Sequence, residues 1–159
     1  VGGAAAIFGA ALPRAEVRRG FEESAAEVFG PDAELYGLDE ALAAPEQADR
    51  EAAQMAAHCD VLPQRLMPGM VAAQRLRDAH IARVALRALD ETGGPVVVIT
   101  GNGHARTDRG VPAALSRARP GIDAFSLGQF EAAPEPPVPF DAWRVTDAIA
   151  REDPCAAFE

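Results

Sequence analysis

Residues Pro95-Val96-Val97-Val98-Ile99-Thr100 constrain the fold more than any other stretch of this chain. Three valines and an isoleucine follow one another, a proline precedes them, and Gly101-Asn102-Gly103-His104 closes the run. β-branched residues lose little by being extended, and a short, uninterrupted apolar run bounded by breakers predicts a strand buried on both faces. That in turn predicts an α/β domain with a mostly parallel central sheet. In such sheets ligands gather outside the carboxyl ends of the strands, which is where the Gly101–His104 loop falls. Gly101 and Gly103 let backbone approach a ligand closely, Asn102 offers an amide, and His104 offers an imidazole that can ligate a metal or move a proton. The alternative for a lone histidine is a structural role in the loop.

The rest of the chain supplies the flanking layers. Leu12-Pro13-Arg14 opens a helix with Val17, Phe21, Ala25, Val28 and Phe29 on one stripe, with Gly20 as an interruption and Gly30-Pro31 as its end. A second helix runs from Pro45 to Cys59, and Met67-Pro68-Gly69 separates it from the longest one, Gly69 to about Ala88. On that helix Gln74, Asp78 and Ile81 fall three and four residues apart and share a face, with Arg77 beside them. From their spacing alone Gln74 and Asp78 read either as a solvated face or as partners of the His104 loop. A short helix follows Gly110-Val111-Pro112, and further strands are expected at Ala4–Ala10, Ile122–Leu127 and Ala142–Thr146. Residues 132–139 hold four prolines and form an extended connector. The expectation is one layered, three-layer-like α/β domain over residues 1–159, with several helices flanking the sheet.

Composition narrows the function. A net charge of −9 opposes nucleic acid as a partner, because phosphate backbones are bound by basic surfaces. No apolar run approaches the roughly 20 residues needed to span a bilayer. The three histidines, His58, His80 and His104, are not spaced as a zinc motif, and neither a Gly-x-Ser-x-Gly elbow nor a Walker loop occurs. Tyr36, the single tyrosine, is able to ligate haem iron as phenolate or simply to pack with its hydroxyl wet. Cys59 and Cys155 permit one disulfide or two separate buried thiols, and the spacing does not choose between them.

Met70-Val71-Ala72-Ala73-Gln74-Arg75-Leu76-Arg77-Asp78-Ala79, then Val97–Arg106, then Asp108-Arg109-Gly110-Val111-Pro112 resemble the ChaN-like family of haem-binding uptake lipoproteins. That family belongs to the wider Tiki/TraB/erythromycin-esterase-like superfamily. Leu12-Pro13-Arg14 and Ser126-Leu127-Gly128-Gln129 fit the same run, so the resemblance covers residues from about 10 to about 130. The chain resembles the C-terminal portion of such a protein, lacking an N-terminal half with its Gly-Glu-x-His-type loop. His80 stands where related sequences carry an aromatic residue or Met.

The resemblance implies a haem-binding protein of haem and iron uptake rather than an enzyme. It is expected to be periplasmic or tethered to the outer membrane through a lipid-anchor cysteine upstream of Val1, and to work as a homodimer around haem or another small molecule. The candidate ligand-binding set, read from the residues, is Gly101, Asn102, Gly103, His104, Gln74, Arg77 and Asp78. Tyr36 is the candidate haem ligand because family haem ligation uses tyrosine, although Tyr36 does not align with a family ligand. An oxidising compartment would favour a Cys59–Cys155 disulfide, provided the Cα atoms lie within about 7 Å. The alternative is a metal-dependent hydrolase of the same superfamily, in which His104 holds a divalent metal or acts as a base and Asp78 assists.

Overall fold

One long helix organises the protein. The computed structural model describes residues 5–156, and Met67–Thr92 is its spine. In chain order the helices are α1 (Arg14–Glu22), α2 (Ala25–Phe29), α3 (Ala44–Ala57), α4 (Met67–Thr92), α5 (Asn102–Ala105) and α6 (Val111–Ala118). Single 3-10 turns occupy Ala33–Tyr36 and Gln64–Leu66. Two strands, β1 (Leu127–Phe130) and β2 (Ala142–Val145), pair in parallel with Leu127 opposite Ala142 and Phe130 opposite Val145. The class is therefore α/β, with a small parallel sheet and helices packed around α4.

Helix α4 has apolar residues on more than one side, and each side buries a separate cluster. Leu76 and Ala79 pack with Ala25, Phe29, Ala33 and Leu38. One turn further on, Ala82, Ala85 and Leu86 pack with Val111, Ala114 and Leu115 of α6. Tyr36 touches both clusters, its ring tilted 60° to that of Phe29 with centroids 4.9 Å apart. Alanine-rich faces allow close axial approach, and the limit is reached at Gly20. A Cβ there would lie 2.3 Å from Leu76 Cδ2. Gly20 thus marks the α1–α4 crossing and does not interrupt a helix. The break comes later, at Glu23–Ser24, where Ser24 caps α2 by accepting from the Glu27 N–H at 3.5 Å. The Ser-x-x-Glu spacing of a capping box signals that break in the sequence. Met67-Pro68-Gly69 likewise opens α4 instead of preceding it, since a proline in the first turn forfeits no helical hydrogen bond.

The central strand expected at Val96–Ile99 is the main departure. Those residues have no sheet partner among the described residues, and Val97 and Ile99 are 82% and 95% exposed. Only Val96 packs, against the second cluster. The segment is anchored at its two ends, by Val96 and by the His104 loop, rather than by a ladder. The strand expected from Ala4 shows the same behaviour over residues 5–10, with Ile7 exposed; Ala4 itself lies outside the described residues. The strand expected at Ile122–Leu127 is displaced to Leu127–Phe130, because its partner Ala142–Val145 sets the register and Asp141 and Ala142 N–H groups both donate to the Ser126 carbonyl. The proline connector 132–139 carries the chain from β1 to β2. Pro139 uses its free carbonyl to accept from Thr107 N–H at 2.9 Å. No described helix is long and apolar enough to cross a membrane.

Candidate functional site

The loop after Thr100 winds into the single turn α5, which carries His104 against the middle of α4. Asn102 fixes it from the other side. Its side-chain nitrogen donates to the Gln129 carbonyl at 2.5 Å, and its side-chain oxygen accepts from the Gln129 N–H at 3.1 Å. Asn102 therefore spends its amide on the backbone of β1, docking the loop to the sheet. Ser126, itself buried, donates its hydroxyl to the Ala105 carbonyl, and Asp141 in turn accepts from the Ser126 N–H at 2.7 Å. On the far side Gly110 is wedged under the loop. A Cβ there would sit 2.6 Å from the His104 carbonyl oxygen and 2.9 Å from that of Arg106. Gly101 has open space around it, and Gly103 only the Gln74 side chain at 4.0 Å.

With the loop so held, His104 Nδ1 lies 2.6 Å from Asp78 Oδ1. Gln74 places its amide nitrogen 3.0 Å from the same ring atom. A ring nitrogen has one hydrogen or one lone pair, so one contact takes the full bond. The shorter, charge-assisted contact to Asp78 takes it, and Gln74 lies alongside as a packing neighbour. Asp78 is 5% exposed. Burial pushes its carboxyl above the ordinary range, and the hydrogen bond and charge of His104 oppose that only in part. With Asp78 ionised, Nδ1–H donates to it, which fixes the tautomer and leaves the Nε2 lone pair for a ligand or a proton. The His104 side chain is 23% exposed, so the ring is reachable.

The spacing on α4 and the position behind the Val-rich run thus bring Gln74, Asp78 and His104 together with Asn102 as their anchor. Arg77 does not join them. It is exposed and lines a separate groove with Arg18, Gln54 and His58, although its charge still bears on Asp78. His58 closes α3, its Nδ1 2.8 Å from the Gln54 carbonyl oxygen. His80 sits 3.3 Å from an Arg83 nitrogen, and burial lowers its pKa. Tyr36 stands at the junction of the two core clusters, and burial raises its phenol above the ordinary value, with Arg83 opposing. Forming phenolate there is harder than in water. Among the described residues no group of three His, Cys, Asp or Glu side chains is placed to hold a metal ion, so a divalent metal at His104 would have Asp78 alone beside it.

Cys59 and Cys155 are joined as a disulfide with Cα atoms 5.6 Å apart, which ties the C-terminal segment to the end of α3. Spacing along the chain leaves that pairing open; the fold closes it.

Beside the dyad lies a cavity of about 330 Å³ between the 37–43 loop, α3, α4 and the start of α6. Asp78 forms part of its wall, as do Arg50, Arg75, Arg109 and Arg117. Periodicity gives no sign of it, because its residues come from four separate elements.

A family model described as haem-binding uptake, Tiki superfamily, ChaN matches residues 4–115. The match takes in α1 to α4, the His104 loop and most of α6, and ends before the β1–β2 pair. No curated protein and no solved structure matches the chain.

Proposed function

The chain belongs to the ChaN family of haem-binding uptake proteins in the Tiki superfamily, and from that premise we propose that it takes up haem as cargo, with His104 as the residue that meets the iron. The observation that carries this is the Asp78–His104 pair. A carboxylate on one ring nitrogen fixes the imidazole and strengthens the other as a donor, the arrangement found behind metal-bound histidines. Haem also needs an apolar wall for its flat face. Ile99, three residues before Asn102, is exposed, as are Leu127, two residues before the Gln129 that Asn102 grips, and Trp143 on β2. An oriented imidazole, and exposed apolar residues on the segments that flank its loop, are the features that support haem as the group.

The exposed apolar positions also support a homodimer. Val97, Ile99, Phe125, Leu127, Trp143 and Val145 are all exposed large apolar residues, and apolar surface gathered into one patch is what a partner or ligand covers. A second copy, or the haem between two copies, would cover it. The disulfide supports placement in an oxidising compartment, the periplasm or the outer-membrane surface facing it, since structural disulfides persist there and not in the cytosol.

Titration of the purified chain with haemin, followed by the Soret band, tests the reading. The expected result is a saturable shift that Asp78→Asn weakens and His104→Ala abolishes or moves, while Tyr36→Phe leaves it intact. Absence of a saturable shift in the wild-type chain overturns it. Light scattering on the same samples reads the association state, and a monomer both with and without haemin removes the dimer.

A further inference from the structure

All 15 basic residues of this chain are arginines, in a protein of net charge −9, and four of them converge on one cavity. Arg50 and Arg75 enter from α3 and α4, Arg109 and Arg117 from the two ends of the α6 segment. Three of the four have carboxylate partners. Arg50 pairs with Glu46 at 2.5 Å, Arg109 with Asp49 at 2.6 Å, and Arg117 with Glu40.

Arg75 differs. It makes no ion pair among the described residues, and its guanidinium donates instead to two backbone carbonyls, those of Gly37 and Glu40, the latter at 2.9 Å. Burial and the neighbouring Arg50 charge both disfavour its cationic form, with Glu46 and Glu40 opposing. An arginine nevertheless stays charged in a protein. A half-buried cation answered by carbonyl dipoles and crowded by another cation is a net positive centre, and the unsatisfied field points into the adjoining space.

The carboxylates on the wall do not cancel it. Glu40 and Glu46 are each bound to their own arginine, and Asp78 is turned to His104. Arg50 and Arg109 are mostly covered, with side chains 14% and 16% exposed, so their charges are poorly screened by water. Ala41, Leu42, Ala43, Ala79, Ala113 and Ala114 add small apolar side chains to a lining that is otherwise largely polar. That combination suits a small molecule with one oxyanion group and a short carbon frame.

We infer that the cavity bounded by Arg50, Arg75, Arg109 and Arg117 is a binding site for a small oxyanion-bearing molecule, a carboxylate or a phosphate ester, separate from the haem-facing side of His104. Arg75 supplies the uncompensated charge, Arg109 and Arg117 the flanking donors, and the small alanine side chains leave room for a short carbon frame. The inference stands whether or not the chain carries haem.

Isothermal titration of the full chain with inorganic phosphate and with succinate, at matched ionic strength in chloride, tests it. At least one of the two is expected to bind saturably, and the tighter one identifies the group the cavity prefers. Arg75→Gln is expected to weaken that binding about tenfold, the cost of one lost charged hydrogen bond. Because Arg75 also steadies the 37–40 turn, Arg109→Gln serves as the second variant, and Arg151→Gln, paired with Glu131 away from the cavity, serves as control. Weakening in either cavity variant with the control unchanged supports the site. Heats that never saturate for both anions, or saturable binding unaltered in both cavity variants, overturn it. The Soret titration of Arg75→Gln is read separately, so loss of haem binding and loss of anion binding are distinguishable.

Discussion

His104 Nδ1 and Asp78 Oδ1 stand 2.6 Å apart although 26 residues and the whole turn after α4 separate them. The contact joins a buried carboxylate to the one loop that three separate side chains or backbones hold in place. Removing either partner leaves the other without its bond, and for Asp78 the loss is of a buried charge's only ion pair among the described residues.

His104→Ala is therefore expected to destabilise the chain by about 1–3 kcal/mol, most of it the penalty of a stranded carboxylate. Asp78→Asn should cost less, because a neutral amide can be buried beside the ring more cheaply. A double-mutant cycle in urea measures the coupling, and a coupling energy near zero would mean the contact contributes nothing to folding.

The sign of the pH dependence at this pair is set by the raised Asp78 pKa. A carboxyl that holds its proton more tightly when folded stabilises the fold fully at pH below its unfolded value, and that contribution is lost as pH rises through the folded value. The difference in stability between wild type and Asp78→Asn should thus shift against the wild type as pH rises across that window. Arg106 and Arg119 hold Asp108 and Asp90 below their ordinary values, and these act in the opposite direction. Urea midpoints of the two proteins from acid to neutral pH read the difference, and parallel profiles would contradict the assignment.

The disulfide between Cys59 and Cys155 spans 96 residues of sequence. Closing so long a loop in the unfolded chain is worth about 4–5 kcal/mol on the chain-entropy account. Reduction, or Cys155→Ser, should lower the guanidinium midpoint and free the C-terminal segment to proteolysis while α1 to α4 keep their helical signal. Unchanged midpoints with and without reductant would show that the cross-link does not constrain the unfolded ensemble.

Gly110→Ala should disturb the site without touching any of its side chains. The new Cβ would press on the carbonyl oxygens of His104 and Arg106, and backbone cannot yield as a flexible side chain can. The expected cost is about 1–3 kcal/mol of stability, with the His104 imidazole resonances shifted by NMR. Gly101→Ala, which meets open space, is the control and should do neither.

Much of this architecture is legible in the residues. The α3 and α6 spans come from proline placement and apolar spacing, and α4 from its long stripe ending at Gly93, whose left-handed backbone closes the helix. The i, i+4 relation of Gln74 and Asp78 puts both on one face, and the glycine-flanked His104 marks a candidate site from sequence alone.

What the sequence determined by itself was local: which segments are helical, where they stop, and which polar side chains share a face. These depend on backbone propensity and on periods of a few residues. Tertiary structure alone decided the rest. Val96–Ile99 has every preference for a buried strand, yet a strand exists only when another supplies its hydrogen bonds, and none of the described residues does so. Gly20 looks like a helix breaker until Leu76 is placed 2.3 Å from its missing Cβ. Four arginines scattered from 50 to 117 become one cationic cavity only because α3, α4 and α6 meet there. The Asp78–His104 bond needs β1 to grip Asn102 from behind, a contact between groups 27 residues apart. Long-range contacts carry no periodic signature, because their partners are set by packing rather than by spacing along the chain.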